Sequence, residues 1–124
     1  LLLGGSYLND VGDTRYTPVE VFYNCLSIDN VKISLHDPYV SEWEEKNLKV
    51  TDDWRCLLIQ KYDIIVISTG HSLYRNNDEL KNLLREYNTG SLLYDTIGIF
   101  TKEEELDFKS FLNFQVLGRG DMLK

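Results

Sequence analysis

The segment "DIIVIS" (63–68) is a run of apolar, mostly β-branched residues with no polar alternation. A strand with one face in water alternates between apolar and polar residues. A continuously apolar strand must be covered on both faces, as in parallel sheets flanked by helices. Similar runs occur at 1–7 ("LLLGGSY"), 31–35 ("VKISL"), 91–96 ("SLLYDT") and 114–118 ("FQVLG"), separated by amphipathic segments at 18–28, 52–60, 78–87 and 102–112. This alternation predicts an α/β fold, a three-layer Rossmann-like open parallel sheet with helices on both faces and right-handed crossovers. The run "NLKV" (47–50) is either a further strand or an extended connector. At 124 residues, the chain 1–124 fits one domain with a single core.

The first connection, "GGSYLNDVGDTRYTP" (4–18), leads from a strand's carboxyl end to a helix start, the place where open α/β sheets hold ligands. Thr17 is positioned to cap that helix, Pro18 suits its first turn, and Glu20 would complete a capping box. Val19, Phe22, Cys25 and Leu26 would form its apolar face. The loop carries neither G-x-G-x-x-G nor a P-loop pattern, so it is not an ordinary dinucleotide or triphosphate fingerprint. Further on, the acidic run "KEEELDF" (102–108) reads as the first turns of a helix, where carboxylates favour the positive end of the dipole.

Thirteen Lys and Arg against twenty Asp and Glu give a net charge of −7, and the cations are scattered. No nucleic acid partner is expected, because phosphate-backbone binding needs clustered cations. A single nucleotide remains compatible, since a few N–H groups and one or two cations suffice for a pyrophosphate. No segment approaches the length of a membrane span or resembles a signal peptide, so a cytoplasmic location with no membrane partner is expected. Cys25 and Cys56 lack CxxC spacing and read as two buried, reduced thiols. His36 and His71, with scattered carboxylates, make no metal spacing. "RGD" (119–121) reads as accidental. The apolar opening without an initiator Met suggests a domain belonging to a longer chain.

The loop 4–18 resembles the one that opens the C-terminal UDP-binding domain of the UDP-glucose/GDP-mannose dehydrogenase family, of approximate pattern G-x-x-Y/F-K-P-x-x-x-D-x-R-x-S-P. Gly4, Tyr7, Asp13, Arg15, Thr17 and Pro18 match it. The resemblance continues through the D-P-Y-V ending of a strand at 37–40 and a T-x-H-x-x-F/Y segment at Thr69, His71 and Tyr74. It ends at D-T-R-N, matched at Asp95 and Thr96. The chain departs from the pattern where Leu8-Asn9 stand for Lys-Pro and Ile97-Gly98 follow Asp95-Thr96 in place of the Arg-containing ending. Each departure removes a cation that could make a charge-assisted hydrogen bond to an anion.

The resemblance implies a UDP-sugar or related nucleotide-sugar as ligand, held by Tyr7, Leu8, Asp13, Arg15, His71 and Thr96, with no catalytic residue in these 124 positions. It implies a parent enzyme that oxidises the sugar C6 hydroxyl to a carboxylate with NAD, the NAD bound by an N-terminal domain of the same chain. It also implies homo-oligomeric assembly. Several roles stay open on the residues themselves. Arg15 could face a phosphate or pair with Asp13, Tyr7 could border a base or pack at the strand end, and His71 could contact ligand, sit at a domain interface or be a hydrogen-bonded structural residue. A degenerate domain serving subunit assembly or regulation is the alternative. A signalling receiver is disfavoured because the first strand ends in Gly-Ser where an acidic pair would be needed.

Overall fold

The computed structural model describes residues 1–118. Five strands form one parallel sheet: β1 (Leu2–Leu3), β2 (Leu35–His36), β5 (Ile64–Ile67), β6 (Leu92–Asp95) and β7 (Asn113–Val116), in the order β2-β1-β5-β6-β7. Successive residues of each strand point to opposite faces, and the apolar runs fill both. On one side Leu3, Ile65, Ile67 and Leu93 pack against Trp54 and Leu58 of α2 (Trp54–Leu58), Leu80 and Leu84 of α3 (Asp78–Tyr87) and Phe108 of α4 (Lys102–Lys109). On the other side Leu2 and Val66 meet Val19 of α1 (Val19–Ile28) and the fully buried Trp43. Each fully buried Leu or Ile here contributes about 1.5–3 kcal/mol.

Helices therefore cover both faces, as expected, three on one side and one on the other. The run at 47–50 resolves as β4 (Leu48–Lys49), paired antiparallel with β3 (Glu42–Trp43) in a hairpin that places Trp43 edge-on to Tyr23, ring centroids 5.3 Å apart. The chain turns from β1 toward β2 on one side and toward β5 on the other, so the loops after β1 and β5 diverge at a topological switch point. No described helix is long and apolar enough to cross a membrane.

The structure corrects several local expectations. The first strand is two residues long because Gly4 leaves it at φ +110°, and the segment 31–35 is strand only at its last residue. The capping box at Thr17 does not form. Pro18 occupies the N-cap, which shifts Glu20 to the second helical position, and its carboxylate instead meets Lys46 Nζ at 3.2 Å. Thr17 Oγ1 still accepts from the Val19 N–H, at 3.3 Å. A complete capping box occurs at Thr101 and Glu104, at the start of the acidic helix.

The inward stripe of α1 is Val19, Tyr23 and Leu26, leaving Phe22 and Cys25 exposed. Both cysteines are exposed free thiols, contrary to the buried reading. The apolar periodicity of α1 exceeds the surface available to cover it, and Cys56 turns outward to donate to Asp53 Oδ2 at 3.1 Å. That hydrogen bond raises the Cys56 pKa. Both thiols are therefore expected to react with a thiol reagent in the folded chain, Cys56 more slowly than an unrestrained thiol at neutral pH. Reaction only after unfolding would contradict the exposed placement. The RGD at 119–121 lies outside the described residues.

Candidate functional site

The candidate site lies on the carboxyl-end rim of the sheet, where residues 4–17 leave β1. Asp37, at the end of β2, is fully buried beneath this loop. Its Oδ2 accepts from the Gly5 N–H at 2.9 Å, the Ser6 N–H at 3.0 Å, the Ser6 hydroxyl at 2.8 Å and His71 Nε2 at 2.9 Å. Its Oδ1 accepts from the Tyr39 N–H. Burial on its own would raise this carboxyl's pKa. The hydrogen bonds from His71, Gly5, Tyr39 and Ser6 outweigh it and hold the pKa at about 2.

His71 links this carboxylate to the middle of the loop, at Asp10. It is fully buried, and its Nδ1 accepts the Asp10 N–H at 2.8 Å. A ring nitrogen that accepts carries no proton, so the Nε2–H faces Asp37 and the imidazole is neutral in this arrangement. Asp10 in turn caps the segment after β5, accepting from the Ser72 N–H and hydroxyl. Asn9 Oδ1 accepts the Gly70 N–H at 3.0 Å, and Thr69 donates to the Ser6 carbonyl at 2.9 Å. Below, His36 Nδ1 and the Tyr74 hydroxyl lie 2.8 Å apart. Burial lowers the pKa of His36 and raises that of Tyr74 well above its ordinary value. The three carboxyl-end segments, 4–13, 37–39 and 68–75, are thereby bound into one rigid rim.

The sequence-named residues divide on this rim. Tyr7 and Leu8 stand exposed, at 53% and 56%. Asp13 and Arg15 pair with each other, Arg15 donating from Nε and Nη2 to the two carboxylate oxygens at 3.0 and 2.9 Å, which holds the Asp13 pKa at about 2. His71 is an internal anchor of the loop. Thr96 is half-buried and donates to the Ile67 carbonyl at 2.6 Å, while Asp95 beside it accepts the N–H groups of Ile97, Gly98 and Ile99. The structure thus ties His71 to Asp10 and Thr96 to β5, and engages the guanidinium of Arg15 with Asp13.

Asp37, Asp10 and Asn9 are the positioning residues that sequence reasoning had not assigned. A polar residue at the end of an apolar strand, as in "SLHDP", is the one local signal for the first of them. No group of three or more His, Cys, Asp or Glu among the described residues is arranged to hold a metal ion. A separate polar depression between α3 and α4 is lined by Lys81, Arg85, Glu104 and Asp107, whose charges satisfy one another in the pairs Lys81–Glu104 and Arg85–Asp107. What the rim offers is a hydrogen-bonded surface with exposed aromatic, aliphatic and cationic groups.

Comparison with known proteins bears on what this rim is for. The model of the UDP-glucose/GDP-mannose dehydrogenase family, UDP binding domain, matches residues 1–102. A UDP-N-acetyl-D-mannosamine dehydrogenase of Methanococcus vannielii is 25% identical over 121 residues, covering 96% of this chain and 26% of that protein. A protein of the same name from Methanococcus aeolicus is 28% identical over 75 residues, 60% of this chain and 16% of its own length. The chain therefore spans between 16% and 26% of the length of these relatives. In fold it is similar to the crystal structure of an NDP-N-acetyl-D-galactosaminuronic acid dehydrogenase from Methanosarcina mazei Go1, with a TM-score of 0.78 at 22% identity, over 95% of this chain and 24% of that one.

Proposed function

Because the chain belongs to the UDP-glucose/GDP-mannose dehydrogenase family through its UDP binding domain, we propose that its rim holds the nucleotide of a UDP-sugar, with the base side against Tyr7 and Leu8. The observation that carries this reading is the loop 4–17 itself. It is pinned at Asp37 and His71 on the switch-point rim while Tyr7 and Leu8 stay exposed above the anchors. A loop held rigid before ligand arrives loses little freedom on binding, so its contacts convert more fully into affinity.

In the same reading, the oxidation of the sugar's C6 hydroxyl to a carboxylate with NAD belongs to a longer enzyme of which this domain is the nucleotide-holding part. The rim does not fit a dinucleotide. Its turn lacks G-x-G-x-x-G, and because the N–H groups of Gly5 and Ser6 are engaged with Asp37, the diphosphate of a UDP-sugar is met here by side chains. This chain's own contribution is therefore to hold and orient the nucleotide.

Calorimetric titration with UDP, UDP-N-acetyl-D-mannosamine, UDP-glucose and GDP-mannose tests the reading. The second of these takes priority because both relatives carry its name. A Kd on the order of micromolar for UDP or a UDP-sugar is expected, and no heat of binding with any of the four would overturn it. The alternative, a domain serving subunit assembly, is favoured by one observation: Val21 and Ile28 on α1 are 69% and 81% exposed. It takes the lead if none of the four nucleotides binds.

A further inference from the structure

We infer that Arg75 is the cation that meets the diphosphate on this rim. The inference rests on the UDP-binding reading above and adds a residue to it. A nucleoside diphosphate brings two or more negative charges, and a guanidinium is well suited to them because it offers parallel N–H donors to phosphate oxygens. Two arginines stand on the carboxyl-end segments of the sheet, Arg15 and Arg75. Arg15 is already engaged, its Nε and Nη2 taken by both oxygens of Asp13. Binding a phosphate through Arg15 requires breaking that pair or sharing it.

Arg75 differs. Among the described residues it is the arginine without a carboxylate partner, since Arg55 pairs with Glu79 and Arg85 with Asp107. Its side chain is held by a long hydrogen bond from Nε to the Gly70 carbonyl, at 3.4 Å, which leaves the Nη groups without a carboxylate to bind. The position of that guanidinium is defined by Gly70. A methyl group built on Gly70 would lie 3.1 Å from Arg75 Nη2, 3.1 Å from Asn9 Oδ1 and 3.0 Å from Ile97 Cγ2. Arg75 therefore converges on the same small area as the loop after β1 and the turn after β6. Ile97 there is 47% exposed, so the guanidinium sits beside open surface. A cation without a carboxylate partner among the described residues, at the meeting of three carboxyl-end segments beside Asn9 and the exposed Ile97, is where the anionic half of the ligand would be drawn.

The test is the Kd for UDP of the unaltered chain and of Arg75→Gln, Arg75→Lys and Arg85→Gln, with melting temperature recorded for each. Loss of a charge-assisted hydrogen bond weakens binding about 10- to 150-fold. Arg75→Gln is expected to show that loss with an unchanged melting temperature, Arg75→Lys to recover part of it, and Arg85→Gln to bind as the unaltered chain does. Equal affinity in Arg75→Gln and the unaltered chain would overturn the inference while leaving the UDP reading in place. So would a loss that appears only with a lowered melting temperature, or an equal loss in Arg85→Gln. An unaltered chain that does not bind UDP overturns both.

Discussion

Asp37→Ala is expected to lower the unfolding free energy by about 3–5 kcal/mol, the scale seen when one partner of a buried polar network is removed. Five donors converge on this carboxylate: the N–H groups of Gly5, Ser6 and Tyr39, the Ser6 hydroxyl and His71 Nε2. The four in buried bonds would each be left unpaired at about 1–3 kcal/mol, and the half-buried Tyr39 N–H at less. Their sum would rival the whole stability of a typical domain, so the loop opens and admits water, which caps the loss and destroys the rim. For a chain of this size the melting temperature should fall by about 10–20 °C.

The same carboxyl dictates an acid dependence. Its folded pKa of about 2 lies below the ordinary 3.8. The depressed value means that the charged form is favoured by folding, so the stabilisation is fully present above about pH 4 and is lost as pH falls toward 2. The difference amounts to about 2 kcal/mol. Urea unfolding between pH 2 and pH 7 measures it. The unaltered chain should lose stability most steeply between pH 4 and pH 2, and Asp37→Asn should show a shallower slope there. An Asp37→Ala chain that melts within a few degrees of the unaltered one would mean that the loop is held by its other contacts.

The sheet was readable because its signal is local. "DIIVIS" and "SLLYDT" are apolar runs long enough to require cover on both faces, and they became β5 and β6. The segment 78–87 became α3 with the expected bounds. The β3–β4 hairpin was missed in part because two-residue strands carry no periodicity, and what fixes them is the burial of Trp43 against Tyr23. The exposure of Cys25 was hidden for the opposite reason: α1 is apolar on more sides than the sheet has surface to cover. In the site, family resemblance marked Asp37 and His71 as pattern positions. Their hydrogen bond spans 34 residues, and no spacing rule predicts it. For Arg15 the residues left a phosphate contact and an Asp13 pair both open, and the structure shows the pair.

The loop's starting point supports a second large effect, read from backbone contact instead of charge. Gly4 ends β1 at φ +110°, a conformation that side-chain-bearing residues rarely adopt. A Cβ there would lie 2.4 Å from Thr69 Cβ and 2.6 Å from the Thr69 backbone nitrogen. Thr69 cannot give way cheaply, because its N–H and that of Ser68 both bond to the Leu3 carbonyl, which ties β1 to the end of β5. Gly4→Ala must therefore pry apart the two central strands at the point where the site begins. Backbone strain of about 1–3 kcal/mol adds to overpacking of similar size. Gly98 separates the two contributions. Its φ of +87° is also unfavourable for alanine, yet a Cβ there meets nothing within 4 Å, so Gly98→Ala should cost only the strain, about 1–2 kcal/mol. Thermal melting of both variants, followed by UDP titration, checks the contrast. Gly4→Ala should melt at least about twice as far below the unaltered chain as Gly98→Ala and should lose UDP binding. Equal melting shifts would place the close approach of Gly4 to Thr69 outside what holds the rim together, and the anchoring by Asp37 would then have to account for the loop alone.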